Sequence, residues 1–141
     1  MENIFAIIFA TLAGVSTALE AFINGELGKN TTALVATFIS LVVGTIFFFI
    51  NICVTGNLKT LESFNNISSK LLLGGILGGL VIYFTVKAIP SLGVSKTLTL
   101  IVVSQMIVGF FIDLYIYKKV MHLYNYIGAI LLFLGTFFIL N

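Results

Sequence analysis

Ionisable and amide side chains within long apolar runs are the residues of this sequence that could do chemistry. Glu20 stands out, because the run from about Ile4 to Ile23 is otherwise uncharged. A charged side chain at a bilayer centre costs about 2.5–3.5 kcal/mol on insertion scales, so an acid in a spanning segment indicates function. Thr17, Glu20 and Asn24 are spaced i, i+3 and i+7, which places them on one helix face. The pattern predicts a polar stripe that lines a cavity, with Glu20 binding a cation or a proton.

A second interpretation of Glu20 stays open. At the helical rise of 1.5 Å per residue, Glu20 lies roughly 24 Å beyond Ile4, in the far half of a hydrocarbon core. Its carboxyl group could extend to the membrane interface. It could also stay protonated, because removal from water penalises the charged form.

A second set of polar side chains follows Pro90, in another long apolar run. Its members are Ser95, Thr99, Ser104, Gln105 and Asp113. Gln105 and Asp113 are eight residues apart and share a helical stripe. An amide in the middle of a bilayer must form a hydrogen bond, so Gln105 either contacts a ligand or joins two helices. Asp113 is closer to the interface, where it could also pair with Lys118.

The glycines of the central region predict close helix packing. Gly74, Gly75, Gly78 and Gly79 form two overlapping GxxxG spacings, which let helix backbones approach each other. No strand precedes them and the order is not GxGxxG, so they do not indicate a dinucleotide site. The single cysteine and single histidine argue against a zinc site, and no catalytic set of side chains is visible. We expect no enzyme activity, no cofactor and no metal.

The amino-acid composition indicates that these residues lie in membrane-embedded segments. Of the 141 residues, 60% are hydrophobic and 9% are charged, and the mean hydropathy is +1.19. A soluble domain has about 25% charged residues. The chain has no Arg and a net charge of +2, which excludes the basic surface that nucleic acids require. The sequence is therefore that of an integral membrane protein.

The apolar runs predict an all-α fold with five transmembrane helices in one bundle that comprises residues 1–141. A helix needs about 20 apolar residues to cross the bilayer core, whereas β-barrel strands are shorter and alternate apolar with polar residues. We expect Gly25 and Gly28 to end the first helix, and Pro90 to begin a tight turn. The start Met1-Glu2-Asn3 is acidic, unlike a secretory signal, so we expect the first helix to be retained. The predicted helices comprise residues 4–24, 32–53, 71–89, 93–117 and 123–140.

Lysine residues give almost no bias in orientation. Five spans place Lys59, Lys70, Lys118 and Lys119 on the side of the N-terminus, and Lys29, Lys87 and Lys96 on the opposite side. Cytoplasmic loops are usually richer in Lys and Arg, and four lysines on one side against three on the other give only a weak indication of orientation. A chain with so little bias could insert in both orientations. Lys87 and Lys96 are expected to extend to the headgroups.

Motifs along nearly the whole chain resemble those of a known family. The first helix has Leu19-Glu20-Ala21-x-Ile23-Asn24-x-x-Leu27-Gly28. The fourth has Ser104-Gln105-Met106-Ile107-x-Gly109-x-x-x-Asp113, and the last has Gly128-x-x-Leu131-x-x-x-Gly135. Together these are similar to the YdcZ-like family of proposed inner-membrane exporters, within the drug/metabolite transporter superfamily. That family usually has Gln where this chain has Glu20.

The resemblance implies half of a ten-helix transporter built from an inverted repeat. Members of this size would pair as a homodimer, which could be antiparallel, or as a heterodimer with a paralogue. An antiparallel pair would create the inverted repeat that alternating access uses. By motif position, the substrate- or ion-binding residues would be Glu20, Asn24, Ser104, Gln105 and Asp113.

The function predicted from these observations is secondary transport of a small organic solute, as a dimer in the inner (plasma) membrane. Glu20 would provide charge selectivity or proton exchange, and Asn24 and Gln105 would provide hydrogen bonds. The alternatives are a partner subunit that does not transport, or a small ion channel. A channel would show single-channel currents, and a partner subunit would co-purify with an unrelated protein.

Overall fold

The computed structural model of the chain describes residues 2–58, 60 and 68–141. Over these residues it is helical, with no strand. Between the predicted second and third helices, residues 59 and 61–67 lie outside the described residues. The five long helices are α1 (Glu2–Asn30), α2 (Ala33–Val54), α3 (Leu73–Leu92), α4 (Val94–Phe111) and α5 (Leu123–Leu140). A 3-10 turn at Ser69–Leu72 precedes α3, and a π-helical turn at Ile112–Ile116 follows α4.

Each of the five predicted spans corresponds to a helix that is long and apolar enough to cross a membrane. Large apolar side chains cover the outside of these helices, and examples such as Phe9, Phe38 and Phe138 are more than 60% exposed. In water such a surface would be unstable, whereas in lipid it faces hydrocarbon. The protein is therefore a multi-pass membrane protein.

The helices divide into two compact units, Met1–Ser91 and Leu92–Asn141. The prediction that residues 1–141 form one bundle stays a prediction. The first unit contains α1, α2 and α3, and among its described residues the buried apolar side chains are Ala21, Ala36, Val86 and Ile89.

The prediction that Gly25 and Gly28 end the first helix is wrong, because α1 continues to Asn30. Both glycines lie where α1 meets α3. A Cβ atom at Gly25 would be 3.0 Å from Ile89 Cδ1, and one at Gly28 would overlap Val86 Cγ1. Glycine is thus required at this contact for space, and its weak helix propensity does not stop the helix.

The predicted turn at Pro90 is also misplaced, because Pro90 lies inside α3, which ends at Leu92. The φ angle that the proline ring imposes is compatible with a helix, and its costs are a missing N–H donor and crowding of the ring against the preceding turn. The helix is interrupted at Gly93, whose φ of 78° is in the region that favours glycine.

The four glycines predicted to pack helices differ in their surroundings. A Cβ atom at Gly79 would lie 3.2 Å from Leu41 Cδ1 of α2, so this glycine does permit a close approach between α2 and α3. At Gly74, Gly75 and Gly78, a Cβ atom would meet no described atom within 4 Å. Their packing role stays a prediction.

The second unit pairs α4 with α5. The Lys96 ammonium, in the first turn of α4, donates a 2.8 Å hydrogen bond to the backbone oxygen of Leu140 at the end of α5. A cation at the carboxyl end of a helix stabilises the unpaired carbonyl groups there. Lys96 is half-buried and joins the two helices, a contact that the predicted extension to the headgroups missed.

Candidate functional site

Three polar side chains of α1 and α2 form a connected set. Asn24 Nδ2 donates a long hydrogen bond of 3.4 Å to Glu20 Oε1, one helical turn away. The hydroxyl of Ser40 in α2 donates to Asn24 Oδ1. Asn24 is only 5% exposed, so it is held between the two helices with both ends of its amide engaged. The buried amide thus links the more exposed Glu20 to Ser40 of α2.

This polar set opens into a groove of about 540 Å³ within the first unit. Glu20 and Ser40 line it, and Thr45 is its remaining polar lining residue. The other lining residues are Leu41, Gly44, Phe48, Phe49, Ile52 and Ile82. Ligand sites of small molecules combine a mostly apolar lining with a few placed polar groups in a volume of roughly 300–1,000 Å³. The groove has both properties.

Thr17, the third member of the predicted stripe, does not join this set. Its hydroxyl donates to Ala13 O, one turn back in its own helix, at 2.9 Å. Threonine commonly forms this bond to the backbone within helices. The spacing predicted the shared face correctly, but only Glu20 and Asn24 contact each other.

The candidate residues of the second unit have different surroundings. Ser104 and Gln105 are exposed, and the Ser104 hydroxyl donates to Leu100 O at 2.6 Å. Within the described part of the chain, no hydrogen bond to the Gln105 side chain is present. Gln105 is the twelfth residue of the 23-residue span Val94–Ile116, so its amide is at the depth of the bilayer centre. Such an amide requires a partner beyond these contacts.

Asp113 lies in the π-helical turn and forms an ion pair with Lys119, at 3.2 Å between Oδ1 and Nζ. The predicted partner was the preceding residue, Lys118. Lys118 has a φ of 50°, and this bend lets Lys119 N donate to Asp113 O at 3.0 Å. Asp113 is therefore held by contacts at the end of α4, and its predicted binding of a solute stays a prediction.

Comparison with known protein families identifies the chain. Residues 5–138 match the family model described as "Putative inner membrane exporter, YdcZ". The chain belongs to the YdcZ family. A search of curated proteins found no match, and a search of solved structures found none either.

Membership in the YdcZ family agrees with the five spanning helices. The helices indicate a multi-pass membrane protein, and the family description indicates an exporter role in the inner membrane. The family points to a transporter rather than an enzyme. The resemblance inferred from the motifs on the first, fourth and last helices is confirmed.

Ser40 and Thr45 are the polar groove residues that sequence reasoning missed in this YdcZ-family chain. One signal was available in α2, where Thr37, Ser40 and Gly44 are spaced i, i+3 and i+7 and form a narrow polar and small-residue stripe. The stripe lacks an ionisable group and was overlooked for that reason. In the structure Thr37 bonds to its own helix, whereas Ser40 reaches Asn24.

Proposed function

We propose that the protein is a secondary exporter of a small organic solute, with the Glu20 groove as its binding site. The observation that supports this proposal is that hydrogen bonds link Glu20, Asn24 and Ser40 beside an open groove in a membrane-spanning unit. An acid at this position is expensive to insert, and the groove gives it space for a ligand. Solute and proton would alternate on the same carboxyl group.

Glu20 is the only titratable side chain among the described residues that line the groove. The acid nearest to it in the sequence of α1, Glu26, is paired with Lys29 at 2.5 Å. A proton that leaves or enters the groove through a protein side chain would therefore use Glu20. This supports an exchange of proton for solute.

We propose further that the working form is a dimer, antiparallel or with a paralogue, that operates by alternating access. The exposed Gln105 amide supports this, because a second chain could satisfy it in the bilayer centre. The odd number of spans and the balanced lysines also suit two opposed copies. In this proposal Ser104, Gln105 and Asp113 are the further solute-contacting candidates, on the second unit.

Proton movement in proteoliposomes tests the exporter proposal. Vesicles that contain a pH-sensitive dye receive gradients of small amines, carboxylic acids and amides in turn, and protein-free vesicles correct for passive permeation. We expect at least one of these solutes to drive proton movement through the native protein. Glu20→Gln removes the titratable group and should abolish this movement.

Glu26→Gln is the matched control, because it removes an exposed acid of α1 that does not line the groove. It should retain the native rate. Proton movement that persists in Glu20→Gln would contradict a role for the carboxyl group. Absence of solute-driven movement with the whole panel would contradict the exporter proposal.

Reporters at both termini test the antiparallel arrangement. Equal amounts of protein with each terminus on the cytoplasmic side are expected for an antiparallel homodimer. A single orientation when the chain is expressed alone would overturn that arrangement.

A further inference from the structure

The hydrogen-bond roles of the polar groups in the Glu20 groove define what a ligand meets there. Three residues supply all polar side-chain atoms among the described lining residues: Glu20, Ser40 and Thr45. A hydroxyl group has one proton to donate and two lone pairs that accept. If both hydroxyl protons are used elsewhere, the groove presents only acceptors.

The Ser40 proton is directed away from the groove by Asn24. An amide between a carboxylate and a hydroxyl must turn its NH₂ group toward the carboxylate, since its oxygen would be repelled there. Asn24 has this orientation, with Nδ2 toward Glu20 and Oδ1 toward Ser40. Ser40 therefore donates to the amide oxygen, and its lone pairs are left for a ligand.

The Thr45 proton is used within α2. Its hydroxyl donates to Leu41 O at 2.7 Å, the usual bond of threonine to the preceding turn. What remains toward the groove is again a lone pair. Glu20 has only acceptors when ionised, so the three groups together form an acceptor surface with one negative charge.

We propose that this groove selects a small organic cation with several N–H donors, such as a primary ammonium, attached to an apolar body. The proposal rests on the exporter function above and names the substrate class of the same site. The ammonium would donate to Glu20 and to Ser40, and Phe48, Phe49 and Ile82 would cover the apolar part. Aromatic faces also attract a cation that is partly removed from water.

The same acceptor surface disfavours two other classes of ligand. A carboxylate or phosphate would meet only acceptors and the Glu20 charge, with no Lys among the described lining residues to offset them. A quaternary ammonium has the charge but no N–H, so Ser40 and Thr45 would lose water without gaining a donor. Discrimination between a primary and a quaternary ammonium is therefore the specific consequence of this geometry.

Calorimetric titration of the purified full-length protein in detergent tests the proposal with three probes of similar size. The probes are phenethylammonium, phenethyltrimethylammonium and phenylacetate. Because hydrogen bonds to charged groups are stronger than those between neutral groups, we expect phenethylammonium to bind about 10- to 100-fold more tightly than its trimethyl analogue. Phenylacetate should not bind.

Two variants test whether Glu20 and Ser40 produce the preference for the primary ammonium. Glu20→Gln should abolish binding of phenethylammonium. Ser40→Ala should reduce the ratio between the two cations, because it removes an acceptor that only the primary ammonium uses. Ser91→Ala, an exposed serine outside the groove, should leave the ratio unchanged.

The outcomes separate this inference from the exporter proposal. Equal or tighter binding of the trimethyl probe, binding of phenylacetate, or no binding of phenethylammonium would overturn the inferred substrate class. A ratio unchanged in Ser40→Ala would overturn the assignment to the acceptor surface. The exporter proposal is decided separately, by solute-driven proton movement across the panel.

Discussion

Gly28→Ala should destabilise the first unit, although alanine is the better helix former. A Cβ atom at position 28 would overlap Cγ1 of Val86, which is 3% exposed. Valine is β-branched and has one strongly preferred χ1 rotamer in a helix, so its methyl group cannot turn away cheaply. Either the valine adopts a poor rotamer or α1 and α3 move apart.

The size of the effect follows from two opposing terms. Replacing glycine with alanine inside a helix gains up to about 1 kcal/mol. Overpacking a close contact costs typically about 1–3 kcal/mol. Gly14→Ala on the same helix isolates the first term, because a Cβ atom there would meet nothing within 4 Å. We expect Gly28→Ala to be about 1–3 kcal/mol less stable than Gly14→Ala.

Equilibrium unfolding in SDS, followed by circular dichroism, measures both variants. Val86→Ala in the Gly28→Ala background should restore part of the loss, since it removes the overlapping methyl group. Contacting residues show coupling energies of about 0.5–3 kcal/mol in such a cycle. Equal stability of Gly28→Ala and Gly14→Ala, or no coupling to position 86, would refute the close α1–α3 contact.

Three further substitutions test individual contacts. Lys96→Met should speed amide hydrogen exchange at the end of α5 about 5-fold, which corresponds to about 1 kcal/mol of lost helix stability. Lys87→Met is the control and should leave the exchange rate unchanged. Equal exchange rates in the two variants would contradict the capping of α5 by Lys96. Asp113→Asn should change the unfolding free energy by less than about 1 kcal/mol, because its ion pair with Lys119 is partly exposed; a larger loss would show that the pair holds the π-helical turn. Asn24→Leu should cost about 1–3 kcal/mol in the same SDS titration, since it removes two hydrogen bonds at a buried position, and an unchanged value would contradict the connected set.

The sequence predicted the elements of the fold better than their ends. Hydropathy over about 20 residues identified all five helices, because lipid imposes that length on any span. The end of α1 was misplaced since Gly25 and Gly28 were interpreted by local propensity alone. Their close neighbours Ile89 and Val86 are more than 50 residues away in the chain, so only the tertiary structure reveals why glycine is there.

For the candidate site, the sequence identified the ionisable residue but not its neighbours across helices. Glu20 was visible as an acid in an apolar run, and Asn24 followed from helical spacing. The stripe that contains Ser40 could not be assigned to the site, since which face of α2 meets α1 is decided by packing. The same holds for Asp113, where the π-helical turn and the bend at Lys118 select Lys119 as partner.

The accessibility of the groove to water in the membrane tests the central claim most directly. In a Cys53→Ser background, which removes the only native thiol, Thr45→Cys lies in the groove, and Val43→Cys lies on an exposed apolar face outside it. A charged, membrane-impermeant methanethiosulfonate reagent requires water to reach a thiol. The account predicts that vesicle-embedded protein is labelled at position 45 and not at position 43. If a cysteine at position 45 is as unreactive as one at position 43, the claim of a water-accessible groove is wrong.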